Sequence, residues 1–551
     1  MIQVHVHGAR WVSDPETGGA VAGTAFLNGS KKAGLGLLAS MPSPTAGIDA
    51  WSSKLAYTNG FYAIIARSSR TVVAAVDHVR SIPLFYGRNG DSLFISHDAE
   101  WVRAKVGAVR VDAASRTEFL LAGFVSGRNT LFSNLYQLQP GEVLLAELIQ
   151  GSVVVKRRRF YQFAIHRSSR ESPDDGTDDA FDRVLAGAMD RLSDYASGRQ
   201  LLIPLSGGHD SRLIATTLKQ RGYDNILTYT YGVGTSMDAR RAERVASALG
   251  MKWLYLEYTV GGWERVWRQS DRKAYQIRGS GWSSLPHVQD WLAMKLIAER
   301  HHDLIEPGAV VVPGHGAMAI LSHLSGLPAA GGRPALAEAI MRRKYRLGPM
   351  SRDARASVRE RLEPFINDLR VGLENDLRAR FAEFEWQERQ SKYLVNSVRL
   401  YESFGFDWWL PLWDLEFTGF WRKQPRPVVT DKSWYKDVVD RTYCSAVGAH
   451  HLERGPSGRD IADRTLRLVA RSRLGRTLRK LLPRSVPVLS PMGFEGLYSK
   501  EEWSNLRRNG LSRNGMAAQA FLDLIQSDDP LVTEVLRAPV MTDEADAVPI
   551  S

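Results

Sequence analysis

The sequence predicts an α/β protein with a β-rich N-terminal half and a parallel-sheet second half carrying helical additions. Three observations predict this class. Short runs rich in Val, Ile and aromatics, separated by turn signals, fill residues 1–162. Strand and helix patterns alternate from 179 to 300, the signature of a parallel sheet. Long, densely charged helical patterns then occupy 335–400.

In the first half, strands are expected at 61–66 (FYAIIA), 71–77 (TVVAAVD), 92–96 (SLFIS), 142–148 (EVLLAEL) and 152–158 (SVVVKRR). Asn-Gly at 59–60 and 89–90 and Pro-Gly at 140–141 read as turns. One helix is expected over 112–122. Residues 165–178 lack apolar periodicity and read as a linker. Beyond them the text predicts a helix (179–196), a buried strand (201–205), a glycine loop, a helix (211–221) and a strand (226–232). A helix (238–249), a strand (253–258) and a helix (287–300) follow.

The 551 residues allow two to four domains at about 100–200 residues each. We divide them as 1–164, the linker 165–178, 179–450, and a basic helical C-terminal extension, 451–551. Apolar residues make up 44 % and charged residues 24 %, too apolar a balance for a disordered chain. Apolar runs fall well short of the roughly 20 residues a membrane helix needs, and MIQVHVHGARW lacks the pattern of a signal peptide. Cys444 is the only cysteine, which excludes a disulfide scaffold and fits a reducing cytoplasm.

The net charge of +12 is concentrated in one place. Ten basic residues and only two acids, Asp460 and Asp463, lie between Arg454 and Arg484, so this stretch carries +8. Leucines recurring through it fit a helix with a core-facing side and solvated arginines. A membrane-surface or acidic-partner helix is the alternative. Nucleic-acid binding is disfavoured, because such proteins spread basic residues over a folded face.

The segment richest in chemistry is Leu205-Ser206-Gly207-Gly208-His209-Asp210-Ser211-Arg212. It follows an apolar strand and opens a helix. Amides at a helix N-terminus attract anions, and glycines allow a phosphate to approach the backbone. Ser206 and Ser211 add hydroxyl donors. Asp210 would repel phosphate unless a divalent cation bridged them, which points to Mg²⁺ beside a polyphosphate. The Walker and dinucleotide fingerprints are both absent from this loop.

This loop matches the S-G-G-x-D-S pyrophosphatase motif and resembles N-type ATP pyrophosphatases: asparagine synthetases, β-lactam synthetases and lasso-peptide cyclases. Thr228-Tyr229-Thr230-Tyr231-Gly232 and the helix text Asp238, Ala242, Val245-Ala246, Leu249-Gly250 are similar to the asparagine synthetase pattern. So are Asp77–Gly87, Asn59–Ala63, Leu138–Glu142, Leu410-Pro411-Leu412-Trp413-Asp414 and Lys432-Ser-Trp-Tyr435-Lys436. The combination also resembles asparagine-synthetase-like proteins of bacterial polysaccharide clusters.

The resemblance implies an N-terminal α+β sandwich of the class II glutamine-amidotransferase (Ntn) type and a HUP-type nucleotide domain. It implies an AMP-forming ligase that uses ATP and Mg²⁺ to join a carboxylate to an amine or ammonia. Leu205, Ser206, Gly207, Gly208, Asp210, Ser211, Tyr231, Pro313 and Gly314 would then bind ATP. Asp210 would hold the metal, and Lys432 would neutralise charge on the phosphates and the tetrahedral intermediate. A cytoplasmic protein, peripheral at the inner membrane face through 454–484, and a homodimer are further expectations.

Two departures bear on this reading. Position 2, where the family's glutaminase cysteine stands, is Ile2. Without a thiolate no thioester forms, so glutamine hydrolysis by that route is not expected. Gly314-His315-Gly316-Ala317-Met318-Ala319 stands where the family reads G-E-G-S-D-E. A thioether is a poor Mg²⁺ ligand, so altered catalysis and a nucleotide-binding pseudoenzyme both stay open. Residue roles also stay open at several positions. Arg212 faces either phosphate or Asp210. His287 meets substrate or caps a helix, and His315 is either a titrating group or a polar plug. Asp414 fixes a loop or takes part in chemistry. The Trp408, Trp409, Trp413, Trp421 and Trp434 cluster is core or an acceptor platform.

Overall fold

The computed structural model describes residues 1–165, 176–234, 236–368, 373, 375–424, 433–448 and 492–527. The basic stretch 454–484, Lys432 and most of the expected linker lie outside the described residues.

Residues 2–159 build two sheets. The smaller runs Ile2–His5, Ser92–Ser96, Phe85–Asn89, Leu135–Gln137 in spatial order, with its first pair parallel. The larger is antiparallel and runs Ser152–Arg159, Glu142–Ile149, Thr71–Val76, Asn59–Arg67, Ala20–Leu27, Trp11–Ser13, with Ser30–Ala33 paired to Ala20–Leu27.

The period-2 alternation of strand side chains sets the layering. Val72, Ala74 and Val76 share a core with Ile2, Val4, Leu93 and Ile95 of the other sheet. Their neighbours Val73 and Ala75 face the opposite way, onto Trp51 and Leu55 of the helix Gly47–Leu55. On the far side of the smaller sheet, Phe85 and Phe94 pack against Trp101, Val102 and Phe119 from the helices Ala99–Lys105 and Ala113–Ala122. The result is a helix–sheet–sheet–helix sandwich, the layering of the Ntn type. Ile2 is fully buried and pairs with Leu93.

The expected turn at Asn59-Gly60 is not one. Both residues lie inside the strand Asn59–Arg67. The Asn59 side chain makes long-range contacts: Nδ2 donates to Asp414 Oδ2 (3.0 Å) and Oδ1 accepts from the Leu415 backbone N–H (3.0 Å). Gly60 is required because a Cβ would sit 2.4 Å from the Thr24 carbonyl oxygen. The other two signals do turn the chain, with Gly90 and Gly141 at positive φ (56° and 65°).

The second half contains a five-stranded, fully parallel sheet. Its order is Lys252–Glu257, Ile226–Gly232, Leu201–Pro204, Val310–Val311, Asp407–Trp408. The first three strands in sequence run outward in one direction, and the last two run the other way from the central Leu201–Pro204. The direction of winding therefore reverses between Leu201–Pro204 and Val310–Val311. In open α/β sheets the crevice beyond the carboxyl ends at such a point is where ligands bind.

The helices Thr177–Ala196, His209–Gln220 and Met237–Ala248 fall close to the expected spans. The helix expected from 287 begins later, at Trp291, with Asp290 at its N-cap. Pro286 and His287 stay outside the helix, where Tyr275 Oη donates to the His287 carbonyl (2.7 Å) and His287 itself bonds Asp290. The 335–400 region holds the helices Arg333–Lys344, Arg352–Asn367 and Leu377–Phe384, followed by a π-helix, Glu385–Leu394. Near the C-terminus, the helix Arg513–Ile525 places Phe521 against Phe119 (5.6 Å between ring centres) and Trp282 (6.4 Å). Among the described residues no helix is long and apolar enough to cross a membrane.

Candidate active site

Three of the motifs singled out in the sequence leave adjacent strands at their carboxyl ends. Leu205–Ser211 follows Leu201–Pro204, Pro313–Ala319 follows Val310–Val311, and Leu410–Asp414 follows Asp407–Trp408. They pack at backbone contact. A Cβ on Gly314 would lie 2.9 Å from the Ser211 amide nitrogen, and one on Gly316 would lie 2.3 Å from Leu412 Cβ. Glycine is therefore dictated at both positions by the close approach of neighbouring chain.

The first loop is organised by its own serines. Ser211 Oγ accepts from the Ser206 backbone (3.0 Å) and lies 3.1 Å from Ser206 Oγ, which accepts from the Gly208 backbone (3.2 Å). This fixes the entry into the helix His209–Gln220, whose first-turn amides lack helical partners. Ser206 and Gly208 are exposed, whereas Leu205 and Ser211 are buried. A Cβ on Gly207 would approach Asp238 Oδ1 to 2.8 Å. The loop is thus an open cradle of backbone donors bordered by two carboxylates, Asp210 and Asp238.

Asp210 accepts from Tyr435 Oη (2.6 Å), whose phenol is pushed up by burial and by the carboxylate's charge. Tyr435 belongs to the helix Ser433–Val447, which packs along His209–Gln220. Lys432 immediately precedes that helix in sequence. Arg212 does not pair with Asp210. It donates to Asp440 (2.9 Å) and lies over the Tyr443 ring (5.5 Å), so it pins the same helix. His209 is 3.8 Å from the same Asp440 oxygen, and burial and Arg212 lower its pKa.

Tyr231, at the end of Ile226–Gly232, enters a buried polar cluster. Its hydroxyl donates to Asp290 Oδ1, Tyr401 Oη donates to Oδ2 (2.6 Å), and His287 Nε2 lies 3.2 Å from Oδ1. Burial raises the Asp290 pKa, but bonds from His287, Tyr231 and Tyr401 outweigh it and hold the carboxyl below its usual range. Tyr231 also stacks on Tyr258 (5.1 Å, 12°). His315 faces this cluster with both ring nitrogens shielded from solvent and without a hydrogen-bond partner. Burial, with help from His287, pushes its pKa down to about 4, so the ring is neutral at pH 7.

Met318 is 1 % exposed in the short helix Met318–Ser322 and contributes to the apolar core. Among the described residues no group of three or more His, Cys, Asp or Glu is arranged to hold a metal. A Mg²⁺ ion needs only one or two carboxylates when phosphates and water supply the rest, and Asp210 meets that requirement. Asp414 is a structural node: it caps the helix Leu415–Lys423, pairs bidentately with Arg191 (2.6 and 2.9 Å) and holds Asn59. Trp408, Trp409, Trp413 and Trp421 are core residues, each at most 4 % exposed.

The expected positions Leu205, Ser206, Gly207, Gly208, Asp210, Ser211, Pro313 and Gly314 converge at the sheet's carboxyl edge, and Tyr231 leaves the same edge. Tyr435, Asp238, Asp290 and Tyr401 were not singled out from the sequence. Tyr435 and Asp238 lie inside the quoted motifs, whereas Asp290 and Tyr401 carry no local signal.

No family model matches the chain, and no curated protein matches it. Solved structures do. Glutamine phosphoribosylpyrophosphate amidotransferase from B. subtilis, complexed with ADP and GMP, is 12 % identical over 56 % of this chain and 64 % of its own, with a TM-score of 0.16. The allosteric regulatory enzyme of purine biosynthesis is 15 % identical over 56 % and 58 %, with a TM-score of 0.18. NAD⁺ synthetase from Burkholderia pseudomallei is 13 % identical over 42 % of this chain and 90 % of its own, also with a TM-score of 0.18. The chain spans less than two thirds of the two purine enzymes. The fold reading rests on strand order and layering, not on these superpositions.

Proposed function

We propose that the chain is an ATP-dependent, AMP-forming ligase that makes an amide from a carboxylate and an amine or ammonia, without hydrolysing glutamine. The observation that supports it is the meeting of the Leu205–Ser211 and Pro313–Gly314 loops at the winding reversal of the parallel sheet, with Gly314 packed on Ser211. In this reading a carboxylate oxygen attacks the α-phosphorus of ATP and pyrophosphate leaves. The amine then attacks the acyl carbon, loses a proton, and AMP leaves. Charge builds on phosphoryl and acyl oxygens, so pre-aligned donors provide most of the stabilisation.

The Gly207, Gly208 and helix-entry amides would hold the phosphates, with Ser206 and Ser211 adding hydroxyls. Asp210 would hold Mg²⁺, which supplies charge neutralisation on the phosphates. Lys432 would act on the same charge. His315, neutral and unpartnered, would accept or donate one hydrogen bond to the substrate. The absence of any cysteine near Ile2 motivates the glutamine-independent part.

The test is exchange of labelled pyrophosphate into ATP by the purified full chain with Mg²⁺ and a panel of carboxylates. Exchange that Asp210→Asn abolishes supports the reading; absence of exchange across the panel counts against it. A second reading, a nucleotide-binding pseudoenzyme in a biosynthetic complex, is favoured by the buried Met318 where an acid is expected. Under it, Met318→Asp alters nucleotide affinity and creates no turnover. A cytoplasmic location with membrane or acidic-partner docking through 454–484 belongs to the same proposal. Liposome flotation that ignores Arg→Gln changes in that stretch would remove the membrane part.

A further inference from the structure

Away from the parallel sheet, a cleft of about 1130 Å³ opens where the two sheets of the N-terminal sandwich end. One wall is the edge strand of each sheet, Leu135–Gln137 and Ser152–Arg159, together with Phe85–Asn89. The other wall is the helix Arg352–Asn367 and the π-helix Glu385–Leu394. None of its lining comes from the nucleotide-type loops, and Ile2 lies on the opposite edge of the smaller sheet.

Arginine dominates the lining: Arg88, Arg128, Arg157, Arg159 and Arg361 all reach it, and no lysine does. The two acids lining the cleft are Asp368, at the exposed rim, and Glu388. Glu388 is already neutralised by buried Lys392 (2.5 Å). Arg128 is matched by buried Glu142, and Arg361 by Asp112.

Three guanidiniums remain without a carboxylate partner among the described residues. Arg88 donates to the Val153 carbonyl (2.6 Å) and Arg157 to Tyr86 Oη (3.2 Å). Arg159 donates to the Pro140 carbonyl and to Gln387, and lies over the Trp386 ring. Burial pushes the Arg159 pKa down to about 10, against the opposing pull of Glu142, Glu383 and Glu388. The aromatic pair Tyr86 and Tyr136 (5.6 Å between ring centres) offers an apolar face between these charges.

Guanidinium groups in a fork geometry match phosphoryl oxygens bidentately, which lysine does not. Arg88 and Arg157, without a carboxylate partner among the described residues, and Arg159, offset only through space by Glu142, Glu383 and Glu388, line one concave space and call for a ligand with at least two negative charges. The π-helix adds to the argument: an extra residue per turn, uncommon and frequent at functional sites, presents Gln387 and Glu388 to the cleft. We propose that this cleft binds a small phosphorylated organic polyanion, at a site separate from the glycine loop and independent of the ligase reading.

The test is calorimetric titration of the full chain with fructose 1,6-bisphosphate, with citrate as a carboxylate polyanion and glucose as a neutral control. Saturable bisphosphate binding is expected, tighter than citrate and weakening as salt rises. Arg157→Gln and Arg88→Gln should each weaken it about tenfold, the effect of losing one charge-assisted hydrogen bond. Asn134→Asp, a conservative change at the exposed mouth, should weaken it about threefold through added negative charge. Unchanged melting temperatures show that the variants are folded. No saturable bisphosphate binding, or binding indifferent to all three changes, overturns the proposal. Citrate binding in preference to the bisphosphate overturns the choice of phosphoryl chemistry.

Discussion

Acid sensitivity of the fold is the consequence that two histidines make most quantitative. His315 is held to a pKa of about 4 by burial and by His287. His97 is held to about 3 by burial and by the charges of His7, whose ring centre lies 4.7 Å away, and His5. An unfolded chain returns each to about 6.5. The native state thus refuses a proton that the unfolded state accepts. Stability is unaffected above pH 6.5 and falls as pH drops below it, down to each native pKa. At pH 5 the gap is about 1.5 pH units. At about 1.36 kcal/mol per unit this is about 2 kcal/mol for each ring, or about 4 kcal/mol together if the two sites are independent. The assay is urea unfolding followed by tryptophan fluorescence at pH 7.5 and pH 5, for wild type, His315→Leu, His97→Leu and the double variant. Each single change should remove about 2 kcal/mol of the acid-induced loss. His315→Leu should cost little at pH 7.5, because both ring nitrogens are already unpartnered. Parallel losses in wild type and double variant would refute the reasoning.

Other changes probe the frame of the site. Asp414→Ala breaks a buried pair with Arg191 and removes a helix cap, and should destabilise by about 3–5 kcal/mol, read as a lower melting temperature; Asp414→Asn keeps the cap and should lose less. Gly314→Ala forces a Cβ against the Ser211 amide and should lower ATP affinity at least about tenfold, one hydrogen bond's worth of misplacement, in a binding titration. Gly419→Ala, in a helix with nothing within 4 Å of the new methyl, should leave affinity alone and stabilise by about 0.5–1 kcal/mol. Tyr435→Phe removes a hydrogen bond to a charged group and should loosen the docking of Ser433–Val447 by about 1.5–3 kcal/mol, read by hydrogen exchange of that helix.

Local patterns carried most of the fold. The strands at 59–67, 71–76, 92–96, 142–149, 152–159, 201–204, 226–232 and 252–257 and the helices at 177–196, 209–220 and 237–248 were legible because apolar periodicity and caps act over a few residues, whereas edge and short strands such as Ile2–His5, Leu135–Gln137, Val310–Val311 and Asp407–Trp408 carry too few residues to show a period. Where reading failed, a distant partner decided. Asn59-Gly60 looks like a turn but lies in a strand whose Asn59 side chain bonds Asp414, 355 residues away. For Arg212, pairing with Asp210 was one open alternative, yet its partner is Asp440, on a helix that no local signal connects to the loop. His287 stands before its helix rather than on it, held by Tyr275 at its carbonyl and by Asp290 at its ring. The arginine cleft was hidden for the same reason. Arg157 read only as the end of a β-strand and Arg159 fell just past it, and Arg361 lies two hundred residues away in a charged helix.

The two loops of the site differ in what they offer. At the sheet's carboxyl edge the first loop has glycines forced by contact, serines that set its shape, a helix entry and Asp210 in the first helical turn. The side chains of the second loop supply no hard ligand, with Met318 in the core and His315 neutral and unpartnered, while its backbone at Gly314 lies against Ser211. The close approach stays meaningful if a nucleotide is gripped mainly by backbone donors. On that logic nucleotide binding should tolerate changes at Met318 far better than changes at Gly314. Measuring ATP affinity for Met318→Leu beside Gly314→Ala separates the two: equal losses would mean that the second loop grips through its side chains after all.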